Sequence, residues 1–403
     1  MNAVGIDVSK GKSMICIMRP FGEIVTSPYE VAHTASELGE LANSLKNLTG
    51  ETKVIMECTG NYHLPVANAL HEAGLIVCAV HAQLIHDFGN NTIRKVKTDK
   101  ADSIKIANYG LTNWIDLQEY VPDDDIRHML KSYSRQYSKY SKLKTILKNN
   151  LISHLDQTFP GVNTLFSSQP REIDGHQKWL DFAKTFWHCK CVSGVSPKAF
   201  SERYQKWCKR SGYNFSQSKA DEIYAESCGH FNIIPKNETT KLLVTQAVIQ
   251  TNAIGESLAV IACEMKRLAK SLPEYSVVRE FVGVGDVICP RLIAEIGDIY
   301  RFSRKQSLVC FAGLEPENSQ SGKFSADGKV SKKGSPHLRK VLFQVMDCLI
   351  KHSPQNDPIY QFLDRKRAEG KHYYNYMTAG SAKFLRIYYA RVKEHLDKHY
   401  NDA

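Results

Sequence analysis

The sequence predicts an α/β domain over residues 1–120, a long helical region over 121–274 and a mostly α-helical domain over 275–403. Three observations carry this. Short apolar, β-branched runs alternate with helical spacings through the first hundred residues. From Asp123 the pattern changes to long helical stretches dense in Lys and Arg. From Tyr275 shorter helical runs are broken by Gly-, Ser- and Lys-rich segments.

Taken in order, "AVGIDVS", "SMICIM" and "EIVTSPYEV" read as a three-strand meander with tight polar turns. "TASELGELANSLKNLTG" has helical spacing, a Thr or Ser cap and a closing glycine. "TKVIMEC" is the fourth strand, "NYHLPVANALHEAG" a helix stopped by Gly74, and "LIVCAVHA" a buried fifth strand. "VKTDKADSIKIA" (96–107) opens the next helix. The order β-β-β-α-β-α-β-α is that of an RNase H-like α/β fold. Beyond it, 123–155 and 239–272 read as long helices. The first is apolar at Leu130, Tyr137, Leu147 and Leu151 and basic between, as a solvated face or an arm touching nucleic acid or a sister protomer would be. Residues 160–235 read as helices and loops rich in aromatics.

The chain has 403 residues and a formal net charge of +11. Its pI is near 9.0 and its mean hydropathy −0.35. This balance favours a polyanionic partner, most simply nucleic acid. No apolar run is long enough to span a bilayer, and no secretory signal precedes "AVGIDVS". Eleven scattered cysteines fit reduced thiols and a cytoplasmic setting.

Four acids stand out. Asp7 sits in the middle of an apolar strand, where an ionised carboxylate is costly unless paired or metal-bound. Glu57 lies near the end of the fourth strand, which neighbours the first in an RNase H-like sheet. Asp99 and Asp102 are three apart, on one face of a helix. Four carboxylates from three elements suit Mg²⁺, with Mn²⁺ also accommodated. Two such ions about 4 Å apart would activate a nucleophile and stabilise a leaving oxygen in phosphoryl transfer. The surrounding cations, Lys97 and Lys100 among them, would hold the phosphates. Taken singly, Glu57, Asp99 and Asp102 each also read as a cap or surface charge; Asp7, inside a buried strand, is the exception.

In the C-terminal domain "FVGVGDVICPRLIAEIGDIYRF" reads as helix, turn at Gly283 and Gly285, helix. That is either a helix-hairpin-helix backbone binder or a plain αα turn. "SQSGKFSADGKVSKKGSPHLRK" sets Ser321 before Gly322 and follows it with Lys323, Lys332, Lys333, Arg339 and Lys340. A serine on a Gly turn among cations can attack a phosphate once a base or metal activates it. By composition alone the segment also reads as a disordered basic loop. His188, Cys189, Cys191, Cys208, Cys228 and His230 raise zinc, but not at zinc-knuckle spacing.

"GIDVSK", "ECTG", "TDKADS", "FAGLEP", "QSGKF" and "SKKGSPHLRK" together resemble the DEDD transposases of bacterial insertion sequences, the family described as bridge-RNA-guided serine recombinases. The resemblance runs from Asp7 to "AKFLRIYYA". It implies that Asp7, Glu57, Asp99 and Asp102 are the metal-binding acids of a RuvC-like domain. It implies that Ser321, rather than Ser319, is a nucleophile in a C-terminal transposase domain. It further implies a helical coiled coil, dimers to tetramers on donor and target DNA, and a structured guide (bridge) RNA that pairs with both DNAs. Three other readings fit parts of the chain. A RuvC-like nuclease or junction resolvase would use the same acids to activate water. An actin-like ATPase or sugar kinase would also begin on a Gly-Ile-Asp strand, but "GIDVSKGK" lacks the phosphate turn of that class. A metal-independent repressor would have no use for four acids.

Overall fold

In a computed structural model the chain divides into two compact units, residues 1–122 and 123–403. The structure describes residues 1–58, 60–88, 98–122, 124–167, 169–230, 232–316, 319–321, 324–326 and 330–401, with 319–321, 324–326 and 401 described in their backbone alone.

In the first unit β1 (Asn2–Val8), β2 (Lys12–Arg19) and β3 (Glu23–Ala32) form the expected meander. Then come α1 (Ala35–Lys46), β4 (Thr52–Cys58), α2 (Leu64–Glu72), β5 (Ile76–His81), the short α3 (Ala82–Phe88) and α4 (Asp99–Thr112). The sheet order is β3-β2-β1-β4-β5. β1 pairs antiparallel with β2 and parallel with β4, and β4 pairs parallel with β5. This is the RNase H-like (RuvC-like) order. Alternation along the strands divides the core. Val4, Ile6, Val54 and Met56 face α1 and α2. Ala3, Ile55 and Cys78 face the other way, onto Ile106 and Ala107 of α4.

The second unit is helical. It comprises α5 (Asp125–Thr158), α6 (Lys178–Thr185), α7 (Pro197–Ser211), α8 (Gln217–Cys228), α9 (Glu238–Lys270), α10 (Tyr275–Arg279), α11 (Ile288–Ile296) and α12 (Lys305–Phe311). A two-stranded β6 (Ser319–Ser321) and β7 (Phe324–Ala326) follows. α13 (Pro336–His352), α14 (Pro358–Ala368) and α15 (Tyr373–Asn401) complete it. The long helices α5 and α9 pair with each other, antiparallel. Leu130 and Met265 enter one core, with α11, α13 and α15. Leu151, Leu155, Val244 and Val248 enter a second, aromatic core around Phe182, Tyr204 and Trp207. Arg127 ties the pair at one end, 2.6 Å from Asp124 and 2.6 Å from the buried Glu274. Among the described residues no helix is long and apolar enough to cross a membrane.

Candidate active site

Asp7 and Glu57 lie one residue beyond the last register pair of β1 and β4, Ile6 with Met56. They therefore end two adjacent parallel strands side by side. Their parity along the strands is that of Gly5 and Ile55, so both side chains project to the face that α4 covers. Both are half-buried.

α4 is seated on that face by glycine. A Cβ on Gly5 would collide with the Ser103 carbonyl oxygen and the Ala107 amide nitrogen, and would lie 2.9 Å from Ala107 Cα. Farther along, Lys53 on β4 donates to the Trp114 carbonyl at 2.9 Å. Lys53 is level with Ala3, so α4 runs antiparallel to β1, with its N-terminus at the Asp7 end. Thr98 caps the helix by accepting from the Ala101 N–H at 3.2 Å. Asp99 and Asp102 fall in the first turn, where the helix dipole favours negative charge.

The electrostatics agree with this placement. Burial pushes the Glu57 carboxyl above its ordinary range; Asp102 adds to the rise, and Lys105, His81 and His86 oppose it. Asp99 contributes to raising the Lys12 ammonium, whose main partner is Glu30 at 2.7 Å. The four predicted acids thus come from β1, β4 and α4 to one end of the sheet. They stop short of a closed cluster: among the described residues no three carboxylate, imidazole or thiol side chains stand together as metal ligands. All four offer oxygen only, as a hard cation requires. Glu57, with a burial-raised carboxyl next to Asp102, is the kind of group whose ionised form such a cation would favour. His81 and His86 were not singled out in the sequence. The signal for His81 is the register, which sets it beside Cys58, the residue after Glu57. Lys97 lies outside the described residues, and Lys100 is exposed.

In the second unit Ser321 pairs with Phe324 across the β6–β7 hairpin, and Ser319 pairs with Ala326. Gly322, Lys323 and residues 327–329 lie outside the described residues. The hairpin's base is closed by Pro316 against Val330, and by the Ser331 N–H on the Glu315 carbonyl at 2.9 Å. The chain then passes exposed Lys332 and Lys333 to Ser335, which caps α13. Lys340 is half-buried. Arg339 has an internal use, donating to the Ala312 carbonyl at 2.9 Å.

At the Gly-x-Gly turn, Gly283 has φ +82°, and a Cβ there would stand 3.1 Å from the Val345 carbonyl oxygen. Asp286 follows, held by Lys266 at 2.5 Å and Arg279 at 2.8 Å, so an acid occupies the start of α11. In the Cys/His stretch, His188 accepts from the Lys190 N–H at 3.0 Å and bonds the Ile234 carbonyl through Nε2 at 3.1 Å. Cys189 donates to Asn232 Oδ1 at 2.6 Å, Cys208 is buried among aromatics, and His230 pairs with Glu226. These residues are used in packing and capping.

The strand order defines an RNase H-like domain, with Asp7 and Glu57 near the ends of its adjacent strands β1 and β4. A family model for DEDD transposases of the IS110 type, described as "Transposase", matches residues 4–160, and a second, "Transposase IS116/IS110/IS902 family", matches residues 275–361. The chain belongs to this insertion-sequence transposase family. It is similar to the "Transposase for insertion sequence element IS1111A" of Coxiella burnetii, 31% identical over 110 residues, which is 27% of this chain and 29% of that protein. It is also similar to the "Pilin gene-inverting protein" of Moraxella bovis, 26% identical over 145 residues, 35% of this chain and 44% of that one. Each match spans less than half of the relative's length. Among solved structures, T. thermophilus RuvC in complex with Holliday junction substrate is 14% identical, covering 29% of this chain and 96% of that chain with a TM-score of 0.23. The fold assignment stands on the strand order.

Proposed function

We propose that this chain is a DNA recombinase that moves an insertion-sequence element in the bacterial cytoplasm, cutting and exchanging strands through a serine nucleophile. The observation that carries the reading is the convergence of Asp7, Glu57, Asp99 and Asp102 on one end of the sheet. These oxygens would hold Mg²⁺, or Mn²⁺. Bound there, the cation would supply charge stabilisation to a scissile phosphodiester. The Ser321 hydroxyl attacks the phosphorus and its proton passes to the departing 3′ oxygen. A 5′-phosphoserine forms as the P–O3′ bond breaks. Attack by another 3′-hydroxyl reverses the step and reseals the strand, so the bond energy is kept. Lys100, Lys332, Lys333 and Lys340, with Lys97 and Lys323, neutralise the nucleic-acid backbone. Following the family resemblance, sequence choice rests on a structured guide RNA pairing with donor and target DNA, and the working form is a dimer or tetramer.

The test incubates the full chain, its flanking RNA and its element-end DNA with Mg²⁺. A covalent protein–DNA adduct is expected from the wild type, and none from Ser321→Ala. Cleavage by Ser321→Ala at the wild-type rate would instead assign a water-activating nuclease. Adduct formation without any co-purifying RNA would remove the guide.

A further inference from the structure

We propose that Arg135 and Lys142 of α5, with His337 and Lys340 of α13, form a binding site for the phosphodiester backbone of nucleic acid. This rests on the reading that the chain acts on nucleic acid, and it adds a contact surface on the long helix.

Three helices carry polar residues to one place. α11 presents Arg291 and Glu295, one turn apart and only 3% and 2% exposed. α5 presents Ser134, Arg135 and Ser138, with Lys142 one turn beyond. α13 presents His337, Lys340 and Gln344 at helical spacing. Arg291 donates to Gln344 Oε1 at 2.7 Å and to Ser138 Oγ at 3.1 Å, and stacks on Tyr137 at 5.5 Å. Glu295 accepts from Ser134 at 3.4 Å, with Arg135 3.9 Å away. The buried arginine and glutamate thus form a scaffold locking the three helices.

Around that scaffold the charges do not balance. Arg135 and Arg291 lie by Glu295, the one carboxylate here that faces His337, while Arg135, Lys142 and Lys340 all act on His337. Burial lowers the Lys340 ammonium, and Arg291 and Lys142 lower it further. Burial also lowers the His337 imidazole; Arg135, Lys340 and Lys142 add to this, and Glu295 opposes it. A basic stripe on one helix keeps its cations apart in water. Here three helices bring them together, so their mutual repulsion is built into the fold and is relieved by an incoming anion. The spread over α5 and α13 suits successive phosphates of a strand better than one small ion. The site opens at the first turn of α13, the helix that follows the Ser321 segment.

The test measures binding of the full chain to a DNA duplex and to a structured RNA by fluorescence anisotropy across a salt series. Lys142→Ala should lower the slope of log affinity against log salt by about one for duplex or by somewhat less for RNA. Lys142→Arg should restore it. Lys209→Ala, an exposed charge on α7, should leave it unchanged. A loss confined to one nucleic acid identifies which backbone the site holds. His337→Ala should weaken binding in mildly acidic buffer and not at pH 8, because bound phosphate favours the imidazolium against Arg135, Lys142 and Lys340. Unchanged slopes for Lys142→Ala on both ligands would overturn the site while leaving the recombinase reading intact. Failure of the wild type to bind either ligand would overturn both.

Discussion

Adding one methyl group at Gly5 tests how closely the acids are held. The new Cβ would meet only backbone: the Ser103 carbonyl, the Ala107 nitrogen and, at 2.9 Å, the Ala107 Cα. No side chain can turn aside, so α4 must retreat from β1 by on the order of 1 Å, an overpacking that costs about 1–3 kcal/mol. Asp99 and Asp102 ride on α4, while Asp7 and Glu57 stay with the sheet. A misplacement of about 1 Å at a reacting centre costs roughly 100-fold in rate. Gly5→Ala should therefore remain folded, with a Tm lowered by several degrees, and cut element-end DNA about 100-fold more slowly. Gly39→Ala is the control. It lies on the exposed face of α1, where a Cβ meets nothing within 4 Å. It should stabilise by about 0.5–1 kcal/mol and leave cleavage unchanged. The assay pairs thermal melts with cleavage rates on labelled DNA. A folded Gly5→Ala protein that cleaves at the wild-type rate would refute the claim that this contact sets the acids' geometry.

Thr98→Ala removes the α4 cap and should cost about 1 kcal/mol, with a further loss of cleavage because Asp99 is the next residue; an unchanged melt would count against the cap. Arg127→Met leaves Glu274 buried without its partner and should cost about 3 kcal/mol or more, most of it recovered by adding Glu274→Gln, which chemical denaturation would show. His176 bonds Glu256 at 2.8 Å and Asp181 at 3.2 Å. Burial lowers its imidazole, and these two carboxylates outweigh burial and raise it above 6.5. Its stabilising contribution is then complete below about pH 6.5 and is lost as pH rises through the raised value, so His176→Asn should flatten that decline in denaturation midpoints. Mg²⁺ at 100 times its dissociation constant should stabilise the wild type by about 2.7 kcal/mol in melts matched for ionic strength. Glu57→Gln should lose most of that gain, and an equal gain in the variant would remove Glu57 from the metal site.

The first unit was legible because its signals are short-range. Each strand is an apolar run bounded by turn residues, and the RNase H-like order places β1 next to β4 once the strands are known. Asp7 and Glu57 then fall side by side by register alone. The role of Gly5 was hidden inside the same "GID" that advertised Asp7, because a glycine's close contact belongs to a helix a hundred residues away. The aromatic core of residues 151–248 was unreadable for a related reason. Phe182 sits on the eight-residue α6, too brief for its periodicity to name a face, and meets Tyr204 and Trp207 of α7 only through the tertiary fold. The long helices show the opposite limit. Their apolar stripes were plain, but a stripe states only that a partner is needed, and Leu130 and Met265 find one within the chain.

The arrangement of charge bears on why a basic chain brings four acids to one end of a sheet. Asp99 and Asp102 sit in the first turn of α4, where the helix dipole stabilises them. Glu57 is placed in the opposite sense, its ionised form disfavoured by burial and by Asp102. Two carboxylates at a helix N-terminus thus stand with a half-buried one whose ionised form a cation would favour. The cluster of α5, α11 and α13 gathers charge of the other sign, with Arg135, Lys142 and Lys340 acting on His337. On the proposals made above, the acids would take a divalent cation and the basic cluster a phosphodiester.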